Sequence, residues 1–177
     1  MFIRVAILIL VFPQLQLGLA KNNYDIILQN LVCRPVSKLN FLNCQLHRQR
    51  NPVASAQFSL NETIHQFEMR TTFDLLKKDK SRMNVADLKM DGCKYLEAKH
   101  YNNFLDRLLK RFRSVSNIPK HCPVLQGKLY EIRNYTFNLD EFPPGVPQSK
   151  WQIRLKLLTR SQLAADILFE GTVVYNT

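Results

Sequence analysis

Most signatures of catalysis are missing from this chain of 177 residues. It carries no G-x-S-x-G elbow, no H-E-x-x-H pair and no Gly-rich phosphate loop. The common hydrolase, zinc-protease and nucleotide sites therefore have no motif to rest on. Its four histidines, His47, His65, His100 and His121, share no metal-ligand spacing. Glycines number only 5, and neither an internal repeat nor a low-complexity tract is present, which excludes fibrous and disordered compositions. After the first twenty residues no stretch reaches the ~20 apolar residues of a bilayer-crossing helix, so the mature chain is read as not membrane-spanning. Two residual pairs invite a catalytic reading. His121-Cys122 are neighbours that an extended chain points to opposite sides, and an oxidised sulfur is no nucleophile. Asp140-Glu141 adjoins a proline loop, where neighbouring carboxylates are ordinarily solvated, and glycosidase carboxylates need opposed geometry. The expected protein is not an enzyme and uses no cofactor and no metal.

What is present begins with a leader. Met1 and the single cation Arg4 precede an apolar run from Val5 to Phe12. Pro13 breaks that run, and Gly18 and Ala20 put small residues at the −3 and −1 positions of a cleavage site. This is the layout of a secretory signal peptide over residues 1–20. The remaining residues, 21–177, have the length of one domain with a single core. The expected location is secreted and extracellular.

In that compartment the four cysteines, Cys33, Cys44, Cys93 and Cys122, read as two disulfides. A zinc site would show closely paired C-x-x-C knuckles, and none exists. Asn61-Glu62-Thr63 and Asn134-Tyr135-Thr136 are sequons, so Asn61 and Asn134 are candidate glycosylation sites. The net charge of +11 means a solvated basic surface, or affinity for anionic glycans, membranes or an acidic partner. The cations gather only at Arg107, Lys110, Arg111 and Arg113. No nucleic-acid motif accompanies them, so no nucleic acid is expected.

Hydropathy patterning predicts an all-β chain. Phe67, Met69, Thr71, Phe73 and Leu75 alternate with Glu68, Arg70, Thr72 and Asp74. Trp151, Ile153, Leu155 and Leu157 alternate with Lys150, Gln152, Arg154 and Lys156. In each case one set faces a core and the other faces water. Further strands are predicted over Tyr24–Val32, Phe41–Arg48, Ala54–Leu60, Met83–Met90, Lys128–Phe137 and Ala165–Tyr175. The polar Lys77–Ser81 turn predicts a hairpin. One segment differs: from Leu96 to Phe112 the apolar residues Phe104, Leu105, Leu108, Leu109 and Phe112 fall at helical spacing. Ile118-Pro119 and Cys122-Pro123 end that helix. Glu141–Pro147 is a proline loop leading into the Trp151 strand. Many strands with one helix imply an antiparallel β-sandwich with the helix in a loop.

The order of these motifs resembles a family. Cys33 is followed by Phe41-Leu42-Asn43-Cys44-Gln45-Leu46 and then by the long strand through Phe73. Asp91-Gly92-Cys93-Lys94-Tyr95-Leu96 forms a D-x-C entry to the helix, Asn117 to Pro123 an H-C-P exit, and Pro143-Pro144-Gly145 a proline–glycine loop. Together they resemble the secreted insect proteins catalogued as domain of unknown function 1091, whose relatives include CheB-like chemosensory proteins. The likeness spans roughly Leu31 to Val174. Pro147-Gln148-Ser149 departs from it, because an aromatic usually follows the glycine sooner. The resemblance implies an immunoglobulin-like, ML-type β-sandwich similar to ganglioside-activator proteins, with a lipid held between two sheets. It also implies an extracellular chemosensory accessory role.

The expected ligand is therefore a lipid or hydrocarbon. Candidate lining residues are Phe67, Met69, Phe73, Leu75, Phe104, Leu108, Trp151, Ile153 and Leu155. Phe104–Phe112 and Pro143–Pro147 are candidate rim elements. The same alternation also marks an ordinary core. The alternative is thus a protein-interaction module with a filled core, whose basic surface meets an extracellular receptor or acidic partner. Four cysteines allow three connectivities. Cys33 and Cys44 flank Lys38-Leu39 symmetrically, as opposite positions on a hairpin would, and Cys93 and Cys122 bracket the helix. The predicted pairs are Cys33–Cys44 and Cys93–Cys122.

Overall fold

The computed structural model describes residues 24–36, 38–48, 50–77, 81–97, 110–139 and 147–175. The expected leader, the candidate lining residues Phe104 and Leu108, and the 141–146 part of the proline loop lie outside the described residues. Among the described residues there are eight strands: β1 (Tyr24–Pro35), β2 (Leu39–His47), β3 (Val53–Leu60), β4 (Glu68–Leu76), β5 (Arg82–Asp91), β6 (Tyr130–Tyr135), β7 (Lys150–Thr159) and β8 (Gln162–Tyr175). Each segment predicted from alternation overlaps one of them, and several strands run one to three residues beyond the predicted bounds. They form two sheets, of order β1-β8-β7-β4-β5 and β2-β3-β6, and every pairing is antiparallel. The fold is an antiparallel β-sandwich of the immunoglobulin-like class.

Register explains why two sheets face each other. β4 and β7 pair with Met69 opposite Leu157, Thr71 opposite Leu155, Phe73 opposite Ile153 and Leu75 opposite Trp151. Both apolar sets therefore fall on one face, and the second sheet covers it. Tyr24, Leu28, Phe73, Leu75, Trp151 and Val173 form a buried cluster with Ala54 of β3. A second cluster, at the other end of β3 and β4, joins Leu60, Ile64, Val124 and Tyr130, with Phe58, Phe67 and Ile118 packed on it. Gly171 lies between Leu28 and Trp151 in the register. A Cβ there would sit 2.2 Å from the Ile27 carbonyl oxygen and 2.3 Å from the Trp151 ring, so only glycine lets the indole lie flat on β8.

The hairpins follow local chemistry. Lys77 N–H donates to the Ser81 carbonyl at 2.9 Å, closing the predicted β4–β5 connection. Thr159 pairs with Gln162, which leaves a two-residue turn at Arg160 and Ser161. Both have positive φ, 47° and 63°, as a type I′ turn requires. Neither residue favours that conformation. Ser161→Gly is expected to stabilise the protein by about 0.5–1 kcal/mol. Paired urea titrations of the two proteins measure this, and an unchanged midpoint contradicts it.

The helical segment starts earlier than its apolar spacing predicts and opens within the D-x-C segment: α1 (Gly92–Glu97) begins at Gly92 rather than Leu96. The Asp91 carboxylate accepts from the Lys94 backbone N–H at 3.0 Å and caps it. The Phe67 ring packs where a Cβ on Gly92 would sit, 2.1 Å away. Residues 110–114 are also helical, and those between, 98–109, are outside the described set.

Both disulfides join the expected partners, Cys33–Cys44 and Cys93–Cys122. The hairpin geometry expected for the first is corrected. β1 pairs with β8 and β2 with β3, so Cys33–Cys44 links the two sheets, with Cα atoms 6.1 Å apart. β1 and β2, consecutive in the chain, therefore belong to different sheets. Cys93–Cys122 ties α1 to the segment that enters the Ile64–Val124 bridge.

Candidate functional site

The outer face of the five-stranded sheet is a polar ladder. Asn30 donates to Glu170 at 2.8 Å, and Gln152 donates to the same carboxylate at 2.9 Å. Arg70 and Asp87 form a two-point pair, with Nε 3.0 Å from Oδ1. Arg154 forms another with Asp166, with Nε 2.7 Å from Oδ1 and a second bond to Oδ2. Those hydrogen bonds hold the Asp166 carboxyl below the usual carboxylate range, although its burial acts the other way; the charges of Arg154, Lys156 and Arg34 assist. A carboxylate held ionised by a guanidinium fork is poorly suited to proton transfer near neutral pH. Burial raises the Tyr24 hydroxyl, with Tyr175 adding to it. These shifts accompany packing. Among the described residues no three His, Cys, Asp or Glu side chains are placed to hold a metal ion.

The inner faces are the candidate site. Trp151 is 0% exposed, and Phe73 and Leu75 are buried beside it. Ile153 packs on the same cluster. Met69 and Leu155 share their face but are half-buried. Phe67 lies apart from them, in the second cluster. The structure thus divides the predicted residues: Phe73, Leu75 and Trp151 close one end, Phe67 belongs to the other, and Met69, Ile153 and Leu155 lie between. Phe137 braces the Trp151 end. Its ring centroid is 5.3 Å from that of Trp151 and 5.5 Å from that of Phe169, both edge-on.

Several residues of this belt escaped the sequence reading of candidate walls. Thr71, Leu157 and Ile167 on the large sheet are half-buried, as are Leu42 and Ile132 on the small one; the aromatics Phe169 and Phe58, which suit either a ligand wall or a core, pack on the end clusters. Their alternation was visible, but which strands face each other was not. Small side chains occur on these faces, Ala56 in β3 and Ala86 in β5. Leu88 of edge strand β5, 37% exposed, continues the apolar face outward.

Two open grooves lie elsewhere. One, of about 340 Å³, is lined by outward residues of β2, β3 and β6, including Asn43, Gln45, Ser55 and Gln57. The other, of about 520 Å³, runs along Ser114–Asn117 beside β6. Both mix polar and apolar walls, and neither lies between the sheets. Of the candidate glycosylation sites, Asn61 is exposed at the end of β3 and Asn134 is exposed at the edge of both grooves. No helix among the described residues is long and apolar enough to cross a membrane.

No curated protein matches the chain. Among solved structures it is similar to chicken MD-1 complexed with lipid IVa, at 16% identity and a TM-score of 0.38, covering 87% of this chain and 99% of that one. It is also similar to a Niemann-Pick type C2 protein from Japanese carpenter ant, at 10% identity and a TM-score of 0.38, covering 83% and 91%. From β4 into β7, residues 71–153 match the family described as protein of unknown function (DUF1091).

Proposed function

We propose that this is a secreted, non-enzymatic binding protein that holds a small apolar or lipid-like ligand between its sheets. One observation carries the reading. Buried clusters lie toward both ends of the sandwich, while of the apolar belt between them Met69, Thr71, Leu155, Leu157 and Ile167 are half-buried and only the small Ala165 opposite Leu157 is buried. In a filled sandwich the middle of the inner faces is the driest part. An interior pinned at both ends and loosely packed between them suits a hydrocarbon chain laid along the strands. Two disulfides and the leader support secretion. The resemblance to CheB-like proteins extends the proposal to an extracellular accessory role in chemosensing.

Titration of the secreted protein with a fluorescent fatty-acid analogue tests this. Saturable binding is expected. Met69→Gln should weaken it about tenfold, since burying an unpaired amide costs ~1–3 kcal/mol. Circular dichroism should show that variant folded. Folded wild-type protein that binds neither the fatty acid nor a hydrocarbon analogue overturns the reading. The module with a filled core and a basic surface, docking an extracellular receptor or acidic partner, then takes its place.

A further inference from the structure

We propose that the outer face of β2-β3-β6 is the resting bed of an N-linked glycan carried by Asn134. The backbone supplies the first observation. The β3–β6 register steps from Ala56 opposite Ile132 to Ala54 opposite Tyr135, so Arg133 and Asn134 together oppose Ser55. This is a bulge of one extra residue. Asn134 takes φ 53°, and its N–H donates to the Ser55 hydroxyl at 3.1 Å. Asparagine tolerates that conformation better than most residues.

The bulge decides where the sequon points. Strict alternation from the buried Tyr130 would turn Asn134 inward and Tyr135 outward. Instead Tyr135 packs edge-on against Phe137, with centroids 5.3 Å apart, and Asn134 is exposed. The extra residue therefore presents the acceptor asparagine to solvent from within a strand.

The surface it meets is the second observation. The two grooves, of about 340 and 520 Å³, both include Arg133 and Asn134 in their walls. Asn43, Gln45, Ser55 and Gln57 line the first, and Ser116 and Asn117 the second. Within the first groove the exposed amides of Asn43 and Gln45 offer both donors and acceptors, which suits the hydroxyls of a sugar. A glycan rooted at Asn134 reaches this face as an intramolecular partner, so weak contacts suffice to hold it. Asn61 lines neither groove. The proposal requires passage through the secretory pathway and is independent of what the interior binds.

Protein secreted from insect cells provides the test. Peptide mapping should find Asn134 occupied. Native protein should release that glycan to a glycosidase about tenfold more slowly than the Asn43→Ala/Gln45→Ala variant, the effect of one or two retained hydrogen bonds. After denaturation both should release it at the same rate. The exposed His47, in the wall of the first groove, should become more reactive to hydroxyl radicals once the glycan is removed. An unoccupied Asn134, or equal native release rates with unchanged His47 reactivity, overturns the proposal.

Discussion

Trp151→Ala is expected to lower stability by about 3–5 kcal/mol, the range for truncating a buried large aromatic. Trp151 is fully buried and packs against Phe137 and Gly171. Truncation therefore removes the indole from a dry cluster that the β-strand backbones prevent from collapsing. Chemical denaturation followed by far-UV circular dichroism measures it; the chain has one tryptophan, so fluorescence is lost with the mutation. A cost under about 1 kcal/mol would contradict a dry core here. Gly171→Ala probes the same contact from below. Its Cβ would clash with both the indole and the Ile27 carbonyl, and overpacking of this kind typically costs ~1–3 kcal/mol. Removing the indole relieves one clash and leaves the other, so Gly171→Ala should remain destabilising in the Trp151→Ala background.

The second large effect comes from the disulfides. Cys93–Cys122 spans 29 residues and Cys33–Cys44 spans 11. By the chain-entropy model, the Cys93→Ala/Cys122→Ala variant should lose about 3–4 kcal/mol and the Cys33→Ala/Cys44→Ala variant about 2–3 kcal/mol. Their local consequences should differ. The shorter bridge joins β1 of one sheet to β2 of the other, so its loss should raise hydrogen exchange along β2, an edge strand of the small sheet. Loss of the longer bridge should instead free α1 and the segment around Ile118–Val124. Equal exchange patterns in the two variants would contradict an inter-sheet clamp.

Strand positions were legible because burial on one face writes a period of two into the chain. Met69 to Leu75 and Trp151 to Leu157 show it without ambiguity. Residues 110–114 are helical as the spacing predicts, while periodicity alone puts the helix entry too late, at Leu96: the Asp91 cap is local and lies in the D-x-C segment, but the close approach at Gly92 depends on Phe67, outside the window in which helical periodicity is read. The candidate walls were only partly legible. Alternation places Met69, Phe73 and Trp151 on one face. It does not show that Trp151 and Phe73 close an end while Met69 and Leu155 are left half-covered.

The sequence by itself determined the all-β class and the approximate location of the eight described strands, since each rests on local period; the cysteine pairs were expected correctly, but Cys33–Cys44 for a hairpin reason that the sheets overturn. Tertiary structure alone decided sheet membership, because pairing β1 with β8 brings together segments at opposite ends of the described chain. That choice converts Cys33–Cys44 from a hairpin brace into a clamp between sheets. It also sets the bulge opposite Ser55 that turns Asn134 outward. Register and the facing of sheets are long-range properties: they depend on which strands meet, and no local window of residues contains that information.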